Sequence, residues 1–179
     1  ELIRIDTVNP PGNETRAAEV LRDYLSASGI ACELYEREPH RANLVARIEG
    51  GDGPSLAFLS HTDTVLADPG EWDRDPWSGD LVEGEVWGRG ALDMKGQVAA
   101  SCVAFASLVR EGFTPSGDLI LIVVADEEVG GRDGYRERFD AFRAEVSRSM
   151  RADGVHVFEV RDDEPAEILV RRIARPAET

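Results

Sequence analysis

The sequence predicts an α/β fold, a mostly parallel sheet with helices on both faces. Three observations carry that expectation. Apolar runs of strand length alternate with stretches of helical periodicity, the order expected of strand–helix–strand units. Asp118–Ala125 reads Asp-Leu-Ile-Leu-Ile-Val-Val-Ala, a continuous apolar run typical of a strand covered on both faces. Clusters of Gly and Pro punctuate the chain between these segments.

Taken in order, Glu1-Leu2-Ile3-Arg4-Ile5 reads as the tail of a helix, followed by a turn at Asn9-Pro10-Pro11-Gly12. Asn13 or Thr15 can cap a helix reaching about Ser28. Its apolar face is Ala17, Val20, Leu21, Tyr24 and Leu25, and Gly29 ends it. Short strands are predicted at Ala31–Arg37, Asn43–Ile48 and Ser55–Ser60, separated by Glu38-Pro39-His40 and Gly50-Gly51-Asp52-Gly53. Residues 66–90, rich in Asp, Gly, Pro and Trp, read as a long loop with a small hairpin near Glu85–Trp87. Loops of that length in compact domains usually serve function. A second helix is predicted over Gly96–Glu111, with Val98, Cys102, Phe105, Leu108 and Val109 inward and Gly112 as its stop. After the Asp118–Ala125 strand, a third helix is predicted over Tyr135–Met150, with strands at Val155–Val160 and Glu167–Ile173.

Composition narrows the class. A chain of 179 residues, 42% hydrophobic, is enough for one domain with a real core. Its 35 acidic and 20 basic residues give a net charge of −15, a surface that repels nucleic acid and anionic membranes. No apolar run approaches the ~20 residues that span a bilayer. No basic-then-apolar signal segment opens the chain, so the expected location is cytoplasmic, although a start at Glu1 rather than Met leaves room for a lost leader. Cys32 and Cys102 are far apart and outside any Cys-x-x-Cys pattern, which fits small core residues in a reducing compartment.

Chemistry concentrates in three segments: Ser60-His61-Thr62-Asp63-Thr64-Val65, Leu92-Asp93-Met94-Lys95-Gly96 and Asp126-Glu127-Glu128-Val129-Gly130-Gly131. His61 follows one predicted strand, the two glutamates follow another, and Asp93 precedes the helix that would connect them. In open α/β sheets the ligand site lies beyond the carboxyl ends of the strands, so topology alone would gather the three segments at one edge. A lone histidine at a strand end is more often structural than functional. Asp63, two residues on in an extended chain, points the same way and can accept the imidazole's second N–H, the usual support of a metal-ligating histidine. Asp93 by itself reads as a helix N-cap, but the flanking glycines at 88, 90 and 96 allow close backbone approach, and a carboxylate can bridge two cations. Three adjacent acids after an apolar strand are either a solvated strand end or a cation site that relieves their repulsion. In extended conformation Glu127 and Glu128 would face opposite ways, leaving one for metal and one as a free base; spacing does not choose between them. No Gly-x-Gly-x-x-Gly or Gly-Lys-Ser/Thr loop supports a nucleotide-binding reading.

These segments resemble the zinc exopeptidase family of aminoacylase, succinyl-diaminopimelate desuccinylase, acetylornithine deacetylase, carboxypeptidase G and carboxypeptidase S. The matching stretches are Ile5-Asp6-Thr7-Val8-Asn9-Pro10-Pro11-Gly12, Arg41-Ala42-Asn43-Leu44-Val45-Ala46, Ser60-His61-Thr62-Asp63, Trp87-Gly88-Arg89-Gly90-Ala91-Leu92-Asp93-Met94-Lys95-Gly96 and Asp126-Glu127-Glu128-Val129-Gly130-Gly131. The resemblance implies a phosphorylase/hydrolase-like catalytic domain that is truncated here: residues 1–179 are part of a catalytic metallohydrolase domain, without the lid or dimerisation domain and the C-terminal part.

By that resemblance His61 binds one zinc, Asp93 bridges two, Glu128 binds the other, Asp63 orients His61, and Glu127 activates water. It also implies a cis peptide after Asp93. A further carboxylate ligand is expected some two dozen residues after the Glu-Glu pair; Glu159 is the first choice and Asp153 the second, with His156 set aside as an ordinary strand or surface histidine. The family's last histidine ligand has no counterpart here, since His40 sits in a Pro-containing loop. The implied cofactor is zinc, two per site in the intact enzyme, with cobalt or manganese as substitutes. The implied reaction is hydrolysis of an amide bond in a small N-acyl amino acid or short peptide by zinc-activated water, and the implied assembly is a homodimer through the missing lid. The competing expectation is a non-catalytic remnant or interaction module with an incomplete metal site, and this piece alone is expected to bind metal weakly and turn over little.

Overall fold

A computed structural model describes residues 1–129 of the chain. A single 3-10 turn, Leu2–Arg4, opens it where the sequence suggested the tail of a helix. Then come helix α1 (Glu14–Ser26), strands β1 (Cys32–Glu36), β2 (Ala42–Ile48) and β3 (Leu56–His61), and the hairpin of β4 (Leu81–Val82) and β5 (Glu85–Val86). Helix α2 (Lys95–Arg110) and strand β6 (Leu119–Val124) follow, and a second 3-10 turn, Pro69–Glu71, lies in the loop between β3 and β4. The predicted helix at 135–150 and strands at 155–160 and 167–173 lie outside the described residues. No described helix is long and apolar enough to cross a membrane.

The α/β class holds, but the sheet is mixed rather than mostly parallel among the described strands. Its order is β1-β2-β6-β3; β2 runs antiparallel to both β1 and β6, and only β3 and β6 are parallel. For β1 and β2 the reason is connection length. A handful of residues between β1 and β2 can close only a hairpin, because a parallel pair needs a crossover of a dozen residues or more. β3 and β6 are joined across residues 62–118, a crossover that includes α2, and pair in parallel. β2 and β6 are separated by a longer stretch still, so connection length does not set their antiparallel pairing.

Both described helices pack on one face. Ala17, Ala18, Leu21 and Leu25 of α1 and Val98, Cys102 and Phe105 of α2 share one core with Leu44, Ala46, Leu121 and Val123 of the sheet. The alternation along β2, with Ala42, Leu44, Ala46 and Ile48 buried, is the period of a strand with one face inward. Phe105 meets Phe58 of β3 edge to face, with ring centroids 5.5 Å apart. On the opposite face Ile122 and Val124 gather a smaller cluster with Val45, Ala57 and Ile120, so β6 is apolar on both sides, as its unbroken run implied.

Candidate metal centre

Because β3 and β6 are adjacent and parallel, with His61 in register with Val124, their carboxyl ends open on the same edge of the sheet. His61 is the last residue of β3, and the Asp126–Glu128 segment leaves the end of β6. Asp93 lies just before α2, whose N-cap position is Met94 and carries no side-chain cap bond. Asp93 is therefore not the helix cap that its local sequence suggests; its exposed carboxylate turns to the strand ends instead. The Asp93–Met94 peptide is cis, as the resemblance implied. One ligand atom each from His61, Asp93 and Glu128 lie within 4.8 Å of one another. Glu127 Oε2 stands 3.8 Å from His61 Nε2, at the rim of the same group.

The imidazole is aimed by Asp63. His61 Nδ1 sits 3.1 Å from the Asp63 carbonyl oxygen and 3.2 Å from its Oδ1, so both acceptors favour a proton on Nδ1. Nε2 then faces outward, 3.2 Å from Asp93 Oδ1. Burial would lower the pKa of His61, but the Asp63 hydrogen bond and the charges of Asp63, Glu127 and Asp93 outweigh it and raise the pKa to about 9. The imidazolium thus points an Nε2–H at carboxylates, and loss of that proton leaves a lone pair aimed at the same place. Asp63 moves the other way. Burial raises its carboxyl, yet bonds from His61, Asn9 and the Glu128 and Glu127 backbone hold it below the usual range. Glu128 is pushed up, by burial first and then by Asp93, Asp63 and Glu127 against the opposing pull of His61. Crowded carboxylates beside an oriented imidazole make a donor set that a divalent cation would relieve.

The Asp126–Glu128 segment turns rather than continuing in the extended conformation expected of it. Asp126 has φ +76°, a left-handed conformation uncommon outside glycine. The turn sends Asp126 back into the protein and brings both Glu127 and Glu128 to the site, rather than to opposite faces. Behind them lies a polar network that joins Asp63 to residues far away in the sequence. The Asn9 Nδ2 group donates to Asp63 Oδ2 at 2.9 Å and to Asp126 Oδ1 at 2.8 Å. The guanidinium of Arg41 forks onto Glu14, at 3.1 and 3.2 Å, and reaches Asp126 at 3.0 Å through Nη1. Glu14 is fully buried in the first turn of α1, and burial raises its carboxyl even against Arg41. Lys95, also buried, donates to the carbonyl of Ile5 at 2.7 Å; burial lowers its pKa to about 8. The only sequence signal for this layer was that Asn9, Arg41 and Lys95 fall within the stretches that matched the family.

His40 is exposed in its loop and stays away from the group. Glu159, Asp153 and His156 lie outside the described residues.

Comparison with known proteins agrees with the geometry. Residues 57–171 match the model of "Peptidase family M20/M25/M40". A succinyl-diaminopimelate desuccinylase of Paracoccus denitrificans is 39% identical over 148 residues, covering 82% of this chain and 38% of that protein. One from Methylobacterium radiotolerans is 39% identical over 153 residues, covering 83% of this chain and 38% of that protein. The chain thus spans under two fifths of the length of the curated relatives it matches. Among solved structures, an M20 family metallo-carboxypeptidase from Sulfolobus solfataricus shares the fold, with a TM-score of 0.63 at 23% identity over 73% of this chain and 30% of that one. Human carnosine dipeptidase 1 gives a TM-score of 0.61 at 25% identity over 73% of this chain and 31% of that one.

Proposed function

Because this chain belongs to peptidase family M20/M25/M40, we propose that it carries part of the metal centre of a hydrolase that cleaves amide bonds in small N-acyl amino acids or short peptides. The observation that bears most weight is the convergence of His61, Asp93 and Glu128, from three separate segments, to within 4.8 Å at the ends of two parallel strands. In this reading His61, Asp93 and Glu128 would hold the metal, and Asp93, with two carboxylate oxygens, could serve a second ion. Zinc suits an imidazole-and-carboxylate set, and Glu159 is the proposed further ligand. Bound metal supplies Lewis-acid chemistry: it polarises an amide carbonyl and makes water acidic near neutral pH.

The rest falls to the protein. Asp63 keeps His61 in one orientation. Glu127, whose side chain is 59% exposed at the rim, is free to take a proton from the attacking water and return it to the leaving amine. The curated relatives named above are desuccinylases of succinyl-diaminopimelate, so an N-succinyl amino acid is the first substrate to try. A substrate with several carboxylates meets a chain of net charge −15, and bound cations are the feature of this site that would attract it.

Purification without chelator followed by elemental analysis tests the reading. At least one divalent ion per chain after reconstitution with Zn²⁺, lost again on dialysis against chelator, is the expected result. Metal at background, with no uptake on reconstitution, would refute the metal centre and leave the non-catalytic interpretation.

A further inference from the structure

Asp126 stands where the chain leaves β6 and turns toward the metal group, in a conformation that glycine adopts freely and aspartate rarely does. Its side chain is pinned by two residues remote in sequence. Asn9 Nδ2 at 2.8 Å and Arg41 Nη1 at 3.0 Å both donate to its Oδ1. Each of those donors is itself held. Arg41 is only 16% exposed, and its other nitrogens are committed to the buried Glu14 carboxylate. The second N–H of the Asn9 amide goes to Asp63 Oδ2. Asp63 Oδ2 also accepts the backbone N–H of Glu128 at 2.9 Å, which closes a ring through Asp126, Asn9, Asp63 and Glu128. The turn bearing Glu127 and Glu128 is therefore fastened at both ends, by the Asp126 carboxylate at one and the Glu128 N–H at the other. A left-handed turn alone would call for glycine; the carboxylate is explained by its two donors.

We propose that Asp126 is a positioning residue that aims the Glu127–Glu128 turn at the metal group, and that Arg41, braced by Glu14, is its anchor. The inference rests on the metal reading above and adds to it two residues that touch neither metal nor substrate.

The test is Co²⁺ titration of the 179-residue chain, followed by the visible d–d band, alongside the thermal midpoint of the metal-free protein. Asp126→Gly keeps the backbone conformation without strain but removes the tether. It should weaken Co²⁺ binding by about 10- to 100-fold, the usual effect of losing an outer-layer partner of a metal ligand, and change the shape of the band. Asp126→Asn keeps an acceptor for both donors and tolerates positive φ, so it should restore binding to within about threefold of the unsubstituted chain. Arg41→Lys retains a charge beside Glu14 but cannot also reach Asp126, since an ammonium lacks the fork. It should weaken Co²⁺ binding by about tenfold, and it carries the same comparison should Asp126→Gly not fold. Binding and band unchanged in the folded tether-less variants would overturn this inference alone. Failure of the unsubstituted chain to take up Co²⁺ would overturn the metal reading and this inference with it.

Discussion

Metal uptake near neutral pH should expel close to one proton per ion, and the proton is that of His61. In the metal-free chain its imidazole, held by Asp63 and facing Glu127 and Asp93, has a pKa of about 9. A metal needs the neutral ring, so it competes with that proton. With a pKa about two units above pH 7, the apparent affinity at pH 7 should lie about 100-fold below its alkaline limit and fall about tenfold more at pH 6. The sign for stability follows from the same shift. His61 has a higher pKa folded than its ordinary 6.5, so its stabilisation of the metal-free protein is fully present below 6.5 and lost as pH rises through about 9. Over that window the loss reaches about 3 kcal/mol, from 1.36 kcal/mol per pKa unit. Calorimetric titration with Zn²⁺ at one pH, in buffers of different ionisation enthalpy, counts the protons released. Asp63→Asn, which removes the main cause of the shift, should cut the release at pH 7.5 to well under half a proton. Affinity that stays flat from pH 6 to 8, with no proton released, would refute the electrostatic reasoning.

Two further outcomes are expected. Where amide hydrolysis is measurable, Glu127→Gln should lower it by at least about 100-fold while Zn²⁺ uptake persists, as measured by turnover and metal content side by side. Leu121→Ala, at a fully buried position in the central strand β6, should cost about 2–5 kcal/mol in urea unfolding, with the metal site reporting the loss only through the fold.

What the sequence made legible was local. The apolar run of β6, the helical spacing of Val98, Cys102 and Phe105, and the His61–Asp63 interval each follow from a period written in consecutive residues. Strand order is not so written. That β6 would lodge between β2 and β3, antiparallel to one and parallel to the other, depends on which faces bury best together. The same holds for the layer behind the site. Asn9 reaches Asp126 across 117 positions of sequence, and Glu14 reaches Arg41 across 27, distances over which no turn or periodicity speaks. Glu14 in the first turn of α1 looks like any acid placed for a helix dipole until its partner is seen. Asp126 misleads for a related reason: its backbone angle is set by what its side chain binds.

The three donors lie more than thirty residues apart from one to the next along the chain. Bringing them together means closing two long loops, and that entropic toll falls due before any coordination bond can form. On the proposed metal reading, the ion would therefore join late in folding. It should lengthen the lifetime of the finished domain by mass action while leaving the speed of its assembly nearly untouched.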